Sequence, residues 1–431
     1  MNARHWIRSA QQQLGRLLPR RDFQPLLTED LTDAQGRAIR VADHFGIDPQ
    51  EMHQVLHNFH GLLYTAQASG GEAGIDHPPP AWPGFQDVHI PVADGVRLAA
   101  RLGLARDASG TPLRSNCVVI MGGLFADNAI LRTRDIAQAL VANGIHALAL
   151  EPRGSGQTQA RLPDVAYTFG VLETGDLLAV DGWLQQRPPV IDSGLLAFCW
   201  GANAGLLAAW EDVRAPDDPA VSEELRKRLR PLNHHGHFRA GILACSPVLR
   251  SETIIESTQR REWRFLENPV LSTLQDTVAE RAALEHYAGV GRDLRKLIDA
   301  EFARSELSYA GAVDDSLRYI RFLPHRERPA FDKLGRARVP ILIVYGANDP
   351  LESSQDIADY IATVQNPNVA AIIYPDGGHV GFVPYARSYF YSLFVNFFDP
   401  ATGPAADATP LSNVLSAGQG TADRSGTGRC E

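Results

Sequence analysis

An α/β fold, with a mostly parallel central sheet and helices on both of its faces, is predicted by three observations. Short apolar strands alternate with amphipathic helices along the middle of the chain. Those strands are continuous runs of Val, Ile, Leu and Ala, the composition of strands covered on both faces. The overall composition, 431 residues of which 44% are hydrophobic, 21% charged and 8% aromatic, with 37 Gly and 28 Pro, is that of an ordinary globular protein. It excludes a fibre, a collagen-like chain and wholesale disorder. Length alone sets no domain count, because open α/β cores often reach this size.

Residues 1–66 read as helices. Trp6, Ile7, Ala10, Leu14, Leu17 and Leu18 share one face, and Met52, Val55, Leu56, Phe59, Leu62 and Leu63 repeat the pattern. The basic first helix is expected to dock its apolar stripe on the rest of the protein rather than on a membrane. From Ala66 to Pro83 the glycines and the run Pro78 to Pro80 have turn composition and read as a linker. At Phe85 the period changes: Phe85–Val92 and Val96–Leu104 alternate around Ala93, Asp94 and Gly95, which predicts a hairpin closed by a tight Asp-Gly β-turn.

Strand and helix then follow in turn: Cys117–Ile120 (strand), Ile130–Asn143 (helix), His146–Leu150 (strand), Thr174–Gln185 (helix), Gly194–Phe198 (strand) and Ala202–Trp210 (helix). Ala240–Ala244 reads as another strand, Arg250–Ala337 as mainly helical, and Ile341–Tyr345 and Ala370–Tyr374 as strands again. From Ala401 the chain is Ala, Gly, Ser and Thr with little to bury, which predicts disorder. The expected organisation is a helical extension and linker over 1–84, a core over 85–249 and 338–399, a helical insertion over 250–337, and a tail over 400–431.

A net charge of −9, from 41 basic and 50 acidic residues, provides no global attraction for phosphate backbones, and no basic patch supplies a local one. No nucleic-acid partner is expected. The Arg226–Arg230 run reads as a solvated helix face. No apolar run approaches the roughly 18 residues needed to span a bilayer, and Met1–Arg21 lacks the apolar region and small-residue site of a secretion signal. Cys117, Cys199, Cys245 and Cys430 are too few for a disulfide scaffold and form no CxxC pair, so a cytoplasmic protein is expected. His234, His235 and His237 lack the partners that would complete a metal site, and neither a GxxxxGK[ST] loop nor a strand-linked GxGxxG is present. No metal or cofactor is expected, and the oligomeric state is not encoded legibly.

The chemistry concentrates at one strand end. Gly194–Phe198 runs into Cys199-Trp200-Gly201-Ala202-Asn203 and then a helix, the strand-turn-helix arrangement in which a nucleophile is exposed on a sharp bend. Such a bend needs small residues two positions before and after the nucleophile, and Ala197 and Gly201 supply them. A thiol there sits at a helix N-terminus, which favours thiolate. Asp349, after strand Ile341–Tyr345, and His379, on a Gly-rich loop after Ala370–Tyr374, follow in the order nucleophile, acid, base. Both lie at strand carboxyl ends, where active sites of open α/β sheets assemble. Asp376, on the loop of His379, reads as a turn former.

With these residues, the sequence resembles the α/β-hydrolase superfamily over about residues 85 to 399, the insertion aside. Phe198-Cys199-Trp200-Gly201-Ala202-Asn203, Asn348-Asp349-Pro350 and Gly377-Gly378-His379-Val380-Gly381-Phe382 look most like the esterase-like group with GFSxGGN, DDP and GGHVGF motifs. Cysteine replaces serine and Ala197 replaces the first glycine. Polyhydroxyalkanoate synthases and dienelactone hydrolases are relatives with cysteine at this position. The resemblance implies that Cys199 attacks a carbonyl, His379 moves its proton and Asp349 orients the imidazole. It also implies an oxyanion hole made by the amides of Trp200 and Leu124, with Gly123 as the alternative to Leu124 on the Met121-Gly122-Gly123-Leu124 loop. Arg153-Gly154-Ser155-Gly156 resembles the family's structural RGxG turn.

The function expected is acyl transfer through a thioester on Cys199, with hydrolysis of an ester, lactone or thioester first and transfer to an alcohol or carbon acceptor second. A non-catalytic binding protein on the same fold is the alternative from another class. The expected partner is a small-molecule acyl substrate, free or bound to a carrier, and the insertion is expected to cover the carboxyl edge of the sheet as a lid.

Overall fold

The computed structural model describes residues 30–32, 38–40, 61, 81–231, 234, 236–259, 269–374, 376–385, 387–401 and 403–405. The strands are β1 (Asp30–Thr32), β2 (Ala38–Arg40), β3 (Phe85–Pro91), β4 (Arg97–Gly103), β5 (Ser115–Met121), β6 (His146–Leu150), β7 (Val190–Phe198), β8 (Gly241–Cys245), β9 (Ile341–Gly346) and β10 (Val369–Tyr374). Eight of them form one sheet in the order β10-β9-β8-β7-β5-β6-β4-β3. β3 and β4 pair antiparallel, as do β4 and β6, and every other pair is parallel. The predicted α/β architecture, a mostly parallel central sheet with helices on both faces, is the one observed.

Side chains alternate across the sheet because successive Cβ atoms point to opposite faces. Val119, Met121, Leu195 and Ala197 enter one core, with the helices Val171–Gln185 and Cys199–Glu211. Val118, Ile120, Leu196 and Phe198 enter the other, with the helices Leu131–Ala142 and Arg387–Phe398. Both faces are dry, which is why the strands read as unbroken apolar runs.

The bend between β3 and β4 holds the predicted Asp-Gly turn: the Val96 amide donates to Ala93 O at 3.0 Å across Asp94 and Gly95. It is one 3₁₀ turn over Ala93–Gly95, with Gly95 at φ 75° and the Val92 amide donating to Val96 O at 2.9 Å. This turn lets the strands pair in full register from Phe85↔Gly103 to Pro91↔Arg97.

In the N-terminal region, β1 and β2 form an antiparallel ribbon where the sequence predicts helix. Three-residue strands carry no readable period, so pairing rather than amphipathicity decides them. The helices expected around Trp6–Leu18 and Met52–Leu63, the linker as far as residue 80 and the tail beyond residue 405 lie outside the described residues, apart from the helical Gly61. Between β8 and β9 the described helices are Ser251–Gln259, Pro269–Leu284, Leu294–Ala303 and Ala312–Ile320. Among the described residues no helix is long and apolar enough to cross a membrane.

Candidate active site

β7 ends at Phe198, whose backbone is extended, and the next residue, Cys199, opens the helix Cys199–Glu211 with φ 54°. A left-handed non-glycine residue costs on the order of 1–3 kcal/mol and persists only where its surroundings enforce it. The small neighbours explain how the bend fits. A Cβ on Gly201 would lie 2.1 Å from Gly122 O, and one on Gly123 would lie 2.8 Å from Cys199 Cβ and 3.4 Å from Sγ. The Gly122-Gly123 loop therefore runs directly against the candidate nucleophile, whose side chain stays partly accessible.

Asp349 and His379 arrive from β9 and β10, two neighbouring parallel strands. His379 Nδ1 is 2.8 Å from Asp349 Oδ2, and the Asp349 carboxylate is fully buried. Asp349 Oδ1 accepts from the amides of Leu351 at 2.9 Å and Glu352 at 3.4 Å, which fixes the carboxylate plane. Cys199 lies near enough for its charge also to act on the imidazole. Burial pulls the His379 pKa down, but the charges of Asp349 and then Cys199, with the hydrogen bond to Asp349, outweigh it and hold the pKa well above its ordinary value. The site thus favours the imidazolium form of His379.

Asp376 has the other role. Its Oδ1 accepts from the Gly377 amide at 2.7 Å and from Asn348 Nδ2 at 2.8 Å, while Asn348 Oδ1 accepts from the Gly378 amide at 2.9 Å. Asn348 and Asp376 clamp the two loops that present Asp349 and His379. Trp200 lies in the first helical turn, whose amides have no helical acceptor, and Leu124 follows Gly123, the residue that packs against Cys199. Arg153 is engaged by Asp176, Nε to Oδ2 at 2.7 Å, and Gly154 and Gly156 have positive φ, so this turn is part of the frame. His237 Nδ1 is 2.8 Å from Asp181 Oδ2, and His234 Nδ1 is 2.6 Å from Asp212 O. Among the described residues no cluster of His, Cys, Asp and Glu is arranged to hold a metal.

Several residues near the site carry no local sequence signal. Glu352 is buried, and that burial, opposed by the Arg250 amide and guanidinium, pushes its carboxyl up to about 8. Phe125, Tyr167, Phe169 and Trp200 form a chain of ring contacts beside Cys199, with centroids 4.9, 5.0 and 6.3 Å apart in succession. Arg281, on the helix Pro269–Leu284, sits with its guanidinium carbon 5.1 Å from the Phe125 ring centroid.

No family model and no curated protein is similar to this sequence. Among solved structures, the chain is similar to an esterase of Pyrococcus furiosus at 16% identity and a TM-score of 0.45, covering 76% of this chain and 98% of that one. It is also similar to an esterase of Pyrobaculum calidifontis, at 15% identity and a TM-score of 0.43 over 83% and 94% of the two chains. A 2,6-dihydroxy-pseudo-oxynicotine hydrolase is similar at 14% identity and a TM-score of 0.44 over 80% and 73%.

Proposed function

We propose that this protein is an acyl-transfer enzyme that forms a thioester on Cys199 and passes the acyl group to water, so that its net reaction is hydrolysis of an ester, lactone or thioester. The observation that carries this reading is the imidazole of His379, held by the buried Asp349 carboxylate and under the influence of Cys199, which stands on the bend that opens a helix. Sγ attacks the carbonyl carbon, and the C=O electrons move onto oxygen beside the amides of Trp200 and of Leu124 or Gly123. Collapse of that adduct breaks the bond to the leaving group, which takes its proton from His379. Water then loses a proton to His379 as it attacks the thioester, and the C–S bond breaks to release the acid.

Thiolate leaves more readily than an unprotonated amine, so an amide adduct tends to return to substrate unless its nitrogen is protonated first, and an ester or thioester is the better fit. The partner on this reading is a small-molecule acyl substrate, free or carried on a larger molecule.

The test is to incubate the protein with an activated acyl ester, quench in acid and map the mass increase. Wild type is expected to carry one acyl group on the peptide containing Cys199, and Cys199→Ala none. Equal labelling of both proteins refutes covalent chemistry at this sulfur.

A further inference from the structure

Phe125 follows Leu124 on the loop that packs against Cys199, and its backbone is left-handed, with φ 53°. A bulky aromatic residue in that region is strained, so contacts elsewhere must hold it. Three surround its ring: Tyr167 at 4.9 Å, Phe169 at 6.1 Å and the Arg281 guanidinium at 5.1 Å. The first two belong to the core. Arg281 belongs to the insertion.

Arg281 is buried, and the insertion fixes it firmly. Its Nε donates to Glu301 Oε1 at 2.7 Å, and its Nη1 lies 3.1 Å from Glu285 Oε1. The same two acids reach the core: Glu301 Oε2 accepts from the Tyr167 amide at 3.2 Å, and Glu285 Oε1 from Gln159 Nε2 at 2.5 Å. A guanidinium over an aromatic face is attracted by the negative face of the ring, the more so when both are desolvated, and this contact opposes the strain at Phe125.

We propose that Arg281 is a positioning residue that sets the oxyanion loop Gly123–Phe125 through the Phe125 ring, so that docking of the insertion and acylation of Cys199 are coupled. This rests on the acyl-transfer reading above. Alkylation by iodoacetamide needs the sulfur and its imidazole but no oxyanion donor, whereas acylation also needs that donor aligned, so the ratio of the two rates reports the loop.

The experiment measures both rates at Cys199, by mass, in wild type, Arg281→Met, Phe125→Leu and the double variant. Phe125→Leu keeps Glu285 and Glu301 paired, so it stands even if loss of the buried cation in Arg281→Met prevents folding. Each single variant is expected to slow acylation by a p-nitrophenyl ester about tenfold or more, less than the roughly hundredfold that outright loss of an oxyanion donor costs, with alkylation within about twofold of wild type. The double variant is expected to be no slower than the worse single one. Acylation of Phe125→Leu at the wild-type rate, an equal fall of both rates, or additive effects overturns the latch. Failure of wild type to acylate overturns instead the reading on which it rests.

Discussion

His379 is the residue on which opposing influences meet. Burial disfavours its charged form, yet Asp349 and Cys199 keep its pKa well above the ordinary histidine value. The proton is therefore retained through neutral pH and lost only as pH rises past that elevated value. An alkoxide leaving group needs this proton, whereas nitrophenolate departs without it. The kcat/KM of an alkyl ester is accordingly predicted to fall on the alkaline side, by about tenfold per pH unit beyond the break, while that of a p-nitrophenyl ester stays level. Parallel profiles for the two esters contradict the assigned proton donor. Cys199, Asp349 and His379 were all legible in the sequence because each lies within a few residues of a strand end and the turn chemistry around it is local. Phe125, Arg281 and Glu352 were not, because an aromatic after two glycines, an arginine in a helix and a glutamate near an Asp-Pro turn acquire meaning only through what approaches them from far along the chain.

At the level of single elements, β6 begins on a buried histidine. His146 Nδ1 accepts from the Ala105 amide at 3.0 Å, and Nε2 lies 3.0 Å from Leu113 O, an arrangement that suits the neutral ring. Burial lowers its pKa, against the opposing pull of the Pro189 and Leu113 carbonyls. The folded pKa thus lies below the unfolded value of about 6.5, so the unfolded chain gains protons first as pH falls and the stability due to this group is lost on acidification. The Tm advantage of wild type over His146→Gln is predicted to shrink between about pH 7.5 and pH 5. A constant difference contradicts the assignment. The same scale shows where pattern reading stops short. β7 starts at Val190 rather than Gly194, because the polar Asp192 and Ser193 hide a segment whose place is set by pairing with β5. The following helix starts at Cys199 rather than Ala202, because Cys-Trp-Gly is a weak helix signal that the bend overrides.

Across the whole molecule, the parallel sheet gathers residues far apart in the chain. The ends of β5, β7, β9 and β10 bring Gly123, Cys199, Asp349 and His379 to one edge, and the insertion reaches the same edge through Arg281 and Glu301. The alternation of strands and helices made the sheet legible, since only a parallel sheet covered on both faces fits such runs. The docking of the insertion was hidden, because buried ion pairs such as Arg281 with Glu301 and Arg321 with Glu252 look in sequence like ordinary surface charges. The convergence of distant segments on one sulfur is tested most directly by the rate of Cys199 alkylation with iodoacetamide at neutral pH in wild type and His379→Ala. The account predicts that removing the imidazole slows that reaction at least about tenfold, since the group whose charge acts on the sulfur is gone. Equal rates in the two proteins would contradict it.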